Sequence, residues 1–380
     1  MTVSFFEFFS FSRLSAFKCV GLSGFLFSVF NLKKKLIFAD NLERKKEMIF
    51  LVSLLLYCQA SNSAYVATPF GFRLEECVLS VPSGSRVRET ESGTVSVMSI
   101  NGDFEAFEYV PPASCHDEVS WSNVGNYTKD CDQTPCTCDS LPCNNWINNA
   151  GYFPRDKKIA GFSSVYTVPE NPTGLSGGGQ TLFYFIGAEN TDGLPRHGQN
   201  GVGRTILQPV LTWAPSNWCR NGTETGWCMS SWNCCPANIT VHTPYIFNIK
   251  SGEKLLGYFN KTANEDSYIV SSSRLDDSAN AQVLSVSGGN RTFNWADVTL
   301  EVYSIEACDQ FAPGEMIFSD LKMWDTNYES MIDENTPWLL TSPRPCGGTI
   351  EKRRTKRRSD QSDAADYDFI ISYDGATEIP

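Results

Sequence analysis

The sequence predicts an all-β protein, an antiparallel β-sandwich preceded by a small cysteine-rich region. Three observations predict this fold class. Short runs of alternating apolar and polar residues recur along the chain, clusters of Gly, Pro, Asn and Ser separate them, and no stretch keeps a helical period. Such evenly spaced strands are typical of sandwiches. The predicted strands cover residues 161–168, 181–188, 205–213, 245–250, 267–272, 283–287, 298–305 and 316–323.

The start of the chain contains a secretory targeting pattern. Residues 48–60 form an apolar run that follows Lys45 and Lys46 and ends in small residues, as a signal peptide does. We therefore assign residues 48–64 to a signal peptide. The processed protein is expected to be secreted, or delivered to an acidic lumenal compartment, without a stable membrane anchor.

The residues before this signal need a separate interpretation. Residues 1–47 are rich in Phe and basic residues, and we interpret them as a gene-model extension in front of a start at Met48. The alternative is a membrane-anchoring segment at about 14–32. Lys18 interrupts that apolar stretch and disfavours the anchor.

Cysteines and glycosylation sequons both indicate an oxidising compartment. Twelve of the 14 cysteines lie beyond residue 64, with only Cys19 and Cys58 before it. An even number of cysteines in a secreted chain predicts disulfides. The dense group at 131–143 lacks the paired spacing of zinc ribbons, so we predict neither a metal nor a cofactor. The expected N-glycosylation sites are Asn126, Asn221, Asn238, Asn260 and Asn290.

Composition divides the secreted part of the chain into three. Residues 65–143 form the cysteine-rich N-terminal region, residues 144–346 the sandwich domain, and residues 347–380 a basic and then acidic tail that is expected to be disordered. The basic run 352–358 fits a proprotein-processing site, and its alternative is a solvated charge run. The net charge of −12 and the pI of about 4.8 argue against a nucleic-acid partner.

Gln208 and Glu301 are polar residues within apolar, strand-like segments. A buried amide or carboxyl costs roughly 2–7 kcal/mol unless it is paired or serves a site. Alternate side chains of a strand share a face, so each residue lies on the more polar face of its segment, which in the second segment also holds Asp297, Thr299 and Tyr303. We take Gln208 and Glu301 as the candidate catalytic pair. The alternative is that they only hydrogen-bond neighbouring strands.

The chemistry available to such a pair is hydrolysis by an activated water. A carboxyl on a partly dry, aromatic-walled sheet has a raised pKa and can act as a general base and acid. An amide nearby can donate to a developing oxyanion without titrating. Together the two groups could hydrolyse a peptide bond with no covalent enzyme intermediate.

Other catalytic patterns have less support in the sequence. The three histidines show no metal-ligand spacing, and no Gly-x-Ser-x-Gly nucleophile motif occurs. The adjacent Cys234 and Cys235 are expected to join two different disulfides. Four tryptophans could form a stacking wall for a sugar or peptide or could pack in the core, namely Trp213, Trp218, Trp227 and Trp232.

Over about 200 residues the order of motifs resembles the eqolisins, the glutamic peptidases, which are secreted acid proteases with a concanavalin A-like β-sandwich or jelly roll. The segments that carry the resemblance are 145–146, 165–169, 185–189, 206–208, Trp213, 231–232 and 296–301. The resemblance implies that Gln208 and Glu301 are the catalytic dyad. Glu301 would activate the water and then protonate the leaving amine, while Gln208 would stabilise the oxyanion.

The resemblance also implies a substrate-binding set, in which this chain departs from the family pattern. Phe replaces Trp and Glu replaces Asp in the segment 185–189, and Ser231 stands at a usually acidic position. Family peptidases are made with N-terminal prosegments, so residues 65–143 are either a prosegment or a retained accessory region, and their cysteine density favours the latter. The implied substrate-binding residues are Phe185, Glu189, Trp213, Ser231 and Trp232.

Two hypotheses follow for the function. The first is a secreted, glycosylated acid endopeptidase of the glutamic type, with proteins or peptides as substrates. The second is a non-catalytic extracellular β-sandwich module that binds glycans or proteins, because a fold can persist without its activity.

Overall fold

The computed structural model describes residues 65–115, 143–154, 156–175, 179–190, 205–215, 218–221, 224–235, 238–263, 266–287, 292–342, 345–355 and 365–373. All of them belong to one compact unit, Tyr65–Pro380. The predicted extension and signal peptide at residues 1–64 lie outside the described residues, as do the sequons at Asn126 and Asn290 and most of the cysteine group at 131–143.

Regular structure in the described residues is almost entirely β. Short single-turn helices such as Glu75–Cys77 interrupt the strands. The strands are β1 Tyr65–Thr68, β2 Gly71–Leu74, β3 Val78–Ser80, β4 Ser85–Glu89, β5 Val95–Ser99, β6 Phe107–Tyr109, β7 Cys143–Tyr152, β8 Ile159–Thr167, β9 Thr181–Glu189, β10 Ile206–Trp213, β11 Arg220–Asn221, β12 Glu224–Thr225, β13 Trp227–Cys234, β14 Thr240–His242, β15 Ile246–Ile249, β16 Lys254–Lys261, β17 Ser267–Arg274, β18 Asp277–Ser287, β19 Trp295–Ile305, β20 Gly314–Asp325, β21 Leu339–Thr341, β22 Thr349–Arg354 and β23 Tyr367–Tyr373.

Two large sheets form a β-sandwich, which confirms the predicted fold class. The first sheet, called the site sheet, has the strand order β21-β7-β19-β9-β10-β13-β14-β3, and β15 also pairs with β13. The second sheet has the order β22-β23-β20-β8-β16-β17-β18-β4-β5-β6. Neighbouring strands are antiparallel except β14 with β3 and β18 with β4. Two separate hairpins, β1-β2 and β11-β12, complete the described strands.

All eight predicted strand runs are strands in the structure, with ends that differ by a few residues. Several strands were not predicted from the sequence, including two long internal strands, β13 and β16. The first lies in the tryptophan-rich segment, for which no strand was predicted, although it is an eight-residue strand buried along its whole length. The second contains Gly257, which weakens a strand pattern. A Cβ atom at Gly257 would lie 2.7 Å from the Tyr166 ring and 2.9 Å from Pro209, so the close packing of the two sheets requires glycine there.

The predicted boundary after residue 143 is wrong for the described N-terminal residues. Strand β3 pairs with β14 in the site sheet, and β4 pairs with β18 in the second sheet. Residues 65–115 are therefore built into the sandwich and do not form a separate region before it. The short alternating run at Val95–Ser99 was a sign of this in the sequence, because its alternate apolar side chains, Val95 and Val97, are fully buried in the structure.

The prediction of a disordered tail after residue 346 is also wrong where the structure describes it. Strand β23 pairs with β20, and β22 pairs with β23. The many charged residues of this segment concealed a period of two, because Phe369, Ile371 and Tyr373 alternate along β23 and are buried. The two arginines of β22 pair with carboxylates: Arg353 donates to Glu315 and Glu351, and Arg354 to Glu334.

Four disulfides lie within the described residues. Cys77–Cys115 and Cys308–Cys346 tie chain segments that are 38 residues apart, and Cys219–Cys228 closes a shorter loop. Cys234 is bonded to Cys235, so the prediction that the two join different disulfides is wrong. Disulfides of this number fit an oxidising compartment. Within the described ranges, no helix has the length and apolarity needed to cross a bilayer.

Candidate active site

Gln208 and Glu301 lie on the same face of the site sheet. Strand β9 separates β10 from β19, and Phe185 of β9 pairs with Val210 on one side and with Thr299 on the other. Paired residues share a face, and so do residues two positions apart in one strand. Gln208, two residues before Val210, and Glu301, two residues after Thr299, therefore point away from the second sheet. We call this surface the site face.

A proline in the centre of the sheet positions Gln208. Pro209 has no N–H for the β9–β10 ladder, and such a residue is unusual in a central strand. The Tyr166 hydroxyl from the second sheet fills the gap, because it donates to the Pro209 carbonyl at 2.8 Å and accepts from the Ile186 N–H at 3.0 Å. The ladder thus opens beside Gln208 without leaving these backbone groups unsatisfied.

The Gln208 side chain is fully buried and has one defined partner. Its Nε2 atom donates to the Pro69 carbonyl at 3.0 Å. No group among the described residues donates a hydrogen bond to its Oε1 atom. A buried amide whose nitrogen donates a hydrogen bond but whose oxygen accepts none is rare enough to need an explanation, and a binding site for a polar ligand supplies one.

Glu301 is a buried carboxyl with a strongly perturbed pKa. Desolvation by burial raises the pKa of Glu301 to about 8, and hydrogen bonds from Tyr303 and Trp146 oppose that rise. The Tyr303 hydroxyl donates to Glu301 Oε1, while Oε2 has no hydrogen-bond partner in the described structure. The negative charge of Glu189 and the backbone N–H of Gly71 also act on this carboxyl, in opposite directions. Perturbed carboxyls of this kind cluster at functional sites.

The β1-β2 hairpin covers the site face. Its tip brings Gln208 and Glu301 to the same short stretch of chain, because Gln208 contacts the Pro69 carbonyl and Glu301 interacts with the Gly71 N–H. Phe72 packs edge-on against Tyr303, with ring centroids 4.7 Å apart. The amide and the carboxyl are therefore placed to bind backbone groups two residues apart in one peptide.

Three of the five predicted substrate-binding residues lie on the site face. Phe185 and Trp232 belong to the apolar cluster under the hairpin, and Glu189 follows on the same side of β9. The other two predictions are wrong. Trp213 packs against Trp227 in the core between the sheets, with ring centroids 5.3 Å apart. Ser231 donates to the Gln282 carbonyl of the second sheet at 2.7 Å.

The period of two along β10 and β13 explains these two errors. Trp213 is an odd number of residues from Gln208, and Ser231 pairs with Pro209, so neither can share the face of Gln208. The motif resemblance gave their order in the chain but not their side of the sheet. Of the four clustered tryptophans, Trp218 lies with Trp232 on the hairpin side, and the two rings pack against each other.

Asp297 is a third acidic residue on the site face, besides Glu189 and Glu301, and no role was predicted for it. It pairs with Gly187 of β9, and a Cβ atom at Gly187 would lie 2.8 Å from Asp297 Oδ1. The Asp297 carboxyl thus lies over the glycine. Thr299 donates to Asp297 Oδ1 at 3.0 Å, and Asn149 donates to Thr299 at 2.6 Å. Asp297 lies four residues before Glu301 in the same strand, and side chains at that spacing share a face. This spacing was the sequence signal that could have identified Asp297 as a residue of the site.

His242 is the one histidine that the described residues include, and it lies in the aromatic cluster beside the hairpin. Its ring stacks on Trp232 with centroids 4.4 Å apart, and burial lowers the pKa of His242 to about 4. In the described part of the chain, no group of three or more His, Cys, Asp or Glu residues is arranged to hold a metal ion.

The likeness of this chain to known proteins is structural. No protein-family model matches the chain, and no curated protein matches it. Among solved structures, it is similar to the crystal structure of scytalido-glutamic peptidase with a peptide-based transition-state analog. The TM-score is 0.37 at 13% identity, over 60% of this chain and 98% of that one. A likeness with so low a score assigns neither a family nor an activity.

Proposed function

We propose that this chain is a secreted acid endopeptidase of the glutamic type, with Gln208 and Glu301 as its catalytic residues. One observation carries the proposal: both side chains meet the same turn of peptide chain, with the Gln208 amide on the Pro69 carbonyl and the Glu301 carboxyl beside the Gly71 N–H. The motif order that resembles glutamic peptidases supports the same pair.

The proposed reaction is direct attack of water on a peptide carbonyl. When the hairpin is displaced, water reaches Glu301 and relieves the desolvation that raises its pKa, so the ionised carboxylate can take a proton from the water as the water oxygen bonds to the carbonyl carbon. Gln208 Nε2 donates to the oxygen as it becomes an oxyanion, in the way that it now donates to the Pro69 carbonyl. Glu301 then gives the proton to the leaving nitrogen, so the enzyme returns to its initial state without a covalent intermediate.

The other site residues have supporting roles in this proposal. The Tyr303 hydroxyl fixes the orientation of the Glu301 carboxyl through its hydrogen bond to Oε1. Phe185 and Trp232 provide an apolar floor under the bound peptide. Glu189 adds negative charge that raises the pKa of Glu301. Proteins or peptides are the proposed substrates.

Secretion and glycosylation belong to the same proposal. The described disulfides fit an oxidising compartment, and Asn221 and Asn238 are exposed. Asn260 is half-buried and accepts a hydrogen bond from the Trp324 indole at 3.1 Å, so its carboxamide oxygen is already engaged. Mass spectrometry of the secreted chain before and after enzymatic deglycosylation would identify the modified asparagines.

The test is proteolysis of a denatured protein by the purified secreted chain at pH 3–5. We expect Glu301→Gln to lower the cleavage rate by a factor of about 10²–10⁴ and Gln208→Ala by about 10²–10³. Asp297→Asn and Thr212→Val are matched controls, because each alters a residue four positions away in the same strand and on the same face. Both controls should retain most of the activity.

The variants also distinguish the alternatives. Loss of cleavage in Asp297→Asn with full activity in Glu301→Gln would assign the base to Asp297. If the folded wild type cleaves nothing, even after the β1-β2 hairpin has been displaced, the peptidase proposal is wrong. The non-catalytic binding module would then be the better account.

A further inference from the structure

The β1-β2 hairpin is bound to the site face as a ligand would be. Its tip, Thr68–Gly71, lies over the catalytic candidates, and its two strands pair only with each other among the described strands. Ala67 on one strand and Phe70 and Phe72 near the other pack into the apolar cluster of the site face. The hairpin is thus held to the sandwich by side chains and by a few polar contacts, without extending either sheet.

The polar contacts of the hairpin are made by groups that suit any peptide. Trp218 Nε1 donates to the Ala67 carbonyl at 2.7 Å, and Gln208 Nε2 donates to the Pro69 carbonyl at 3.0 Å. Both donors therefore bind main-chain carbonyls, two residues apart. Binding of alternate backbone groups gives affinity, and pockets for the side chains give specificity.

Two aromatic side chains supply the specific part of this contact. Phe72 lies edge-on to Tyr303 with ring centroids 4.7 Å apart, and Phe70 packs into the same cluster. The Arg73 guanidinium lies 5.4 Å from the Phe70 ring centroid, and its Nη2 atom donates to Cys235 Sγ at 3.3 Å. Phe70 directly follows Pro69, the residue whose carbonyl Gln208 binds, and Phe72 is two positions further along the chain. The rings of both residues pack on the site face.

We propose that residues 65–74 are a resident inhibitory ligand of the site face, and that the peptides that replace them carry aromatic residues at the positions of Phe70 and Phe72. The inference deepens the proposed function, on which its inhibitory part rests. The peptide-binding part stands on the hairpin contacts alone.

The hairpin is held in a form that resists cleavage by the proposed mechanism. Pro69 and Phe70 form a tight turn, in which the Thr68 hydroxyl donates to the Gly71 carbonyl at 2.7 Å and Gly71 has a φ of 99°. The backbone N–H of Gly71 acts on the Glu301 carboxyl, so the hairpin tip lies where the attacking water would have to bind. A peptide that enters in an extended form leaves that carboxyl free.

The experiment measures occupancy of the site face independently of catalysis. The probe is a fluorescent decapeptide with the sequence of residues 65–74, added to the full secreted chain and to its Phe72→Ser variant. We expect the variant to bind the probe about tenfold more tightly than the wild type, because removal of one half-buried aromatic side chain weakens the resident hairpin by about that factor. Amide exchange at residues 66–74 should accelerate by the same factor.

Controls separate hairpin release from general loss of structure. Tyr65→Ser alters an exposed residue of the same hairpin and should change neither probe binding nor exchange. Phe70→Ser is the second releasing variant, in case Phe72→Ser does not fold. A probe in which both phenylalanines are replaced by serine should bind the Phe72→Ser protein at least about tenfold more weakly than the original probe.

Each outcome bears on one part of the inference. Equal probe affinity and equal exchange in wild type and both releasing variants would overturn the resident-ligand proposal. Equal affinity for the aromatic and serine probes would overturn the specificity. If a releasing variant binds the probe but cleaves no protein at pH 3–5, the peptide site stands and the peptidase proposal falls. If the wild type cleaves as fast as the releasing variants with its hairpin intact, the inhibitory role falls and the peptidase stands.

Discussion

Tyr166 and Pro209 face each other from opposite sheets, and the Tyr166 hydroxyl donates to the Pro209 carbonyl at 2.8 Å. The same hydroxyl accepts from the Ile186 N–H, so a single side-chain oxygen replaces the ladder contact that proline cannot make. Pro209 directly follows Gln208 in the chain, so this contact fixes the backbone next to Gln208. It explains how the central strand can contain a proline beside a catalytic candidate.

Removal of that hydroxyl should destabilise the protein and weaken the site. Tyr166→Phe leaves the Ile186 N–H and the Pro209 carbonyl buried without their partner, at an expected cost of about 1–3 kcal/mol in the free energy of unfolding. Urea unfolding at constant pH measures it. Tyr328→Phe is the control, since Tyr328 is exposed and should show almost no change. An equal loss in both variants would contradict the role of the Tyr166 bridge.

Glu301 should make the protein less stable as the pH rises. The pKa of Glu301 is about 8 in the folded state against 4.5 for an ordinary glutamate, so between these values the folded state holds a proton that the unfolded state has lost. The free energy of unfolding therefore falls as the pH rises from 4.5 to 8. Glu301→Gln should remove this slope and stabilise the protein at pH 7 by on the order of 3 kcal/mol.

The measurement is chemical denaturation of wild type and Glu301→Gln at several pH values from 4 to 9. Glu108→Gln, on the exposed edge strand β6, serves as the control and should keep the wild-type slope. The same slope in wild type and Glu301→Gln would show that the carboxyl is ionised in the folded protein at neutral pH.

His242 should act in the opposite direction at lower pH. Burial lowers the pKa of His242 to about 4, so between pH 6.5 and 4 the unfolded state binds a proton that the folded state does not. Stability from this residue is complete above pH 6.5 and is lost as the pH falls to 4. Thermal melts of His242→Gln should show a flatter pH dependence in this window, and an unchanged slope would contradict the assignment.

Gly187 should tolerate no side chain, because the Asp297 carboxyl lies over it. A Cβ atom would come within 2.8 Å of Asp297 Oδ1 and 2.9 Å of Oδ2. We expect Gly187→Ala to cost about 1–3 kcal/mol in the free energy of unfolding, as overpacked cores do. Gly226→Ala is the control, since its nearest neighbour would be the Ile249 carbonyl at 3.9 Å. Equal stability of the two variants would show that Asp297 moves away without cost.

The sequence predicted the sandwich because its strands are regular where one face is buried. The eight predicted runs are correct, and alternation alone placed Gln208 and Glu301 on the more polar faces of their strands. Alternation failed at β16, where Gly257 interrupts the pattern, and in the tail, where charged neighbours concealed the buried face of β23.

The contacts of the candidate site could not be predicted from the sequence in the same way. Pro69 and Gln208 are 139 residues apart, and nothing in the local pattern of either residue indicates that they meet. Alternation along β10 already places Trp213 on the face opposite to Gln208, but the side on which Ser231 lies follows from its pairing with Pro209, which depends on the register between strands. Register is set by tertiary packing and turn geometry, so motif order was insufficient.

In the proposed mechanism Gln208 and Glu301 act together on a peptide carbonyl once the hairpin is displaced. The most direct measurement is the initial rate of cleavage of a denatured protein at pH 4 by the Phe72→Ser chain, alone and combined with Glu301→Gln or with Asp297→Asn. We expect cleavage by Phe72→Ser, a loss of about 10²–10⁴ in rate with Glu301→Gln, and little change with Asp297→Asn. Undiminished cleavage in the Glu301→Gln combination would contradict this mechanism.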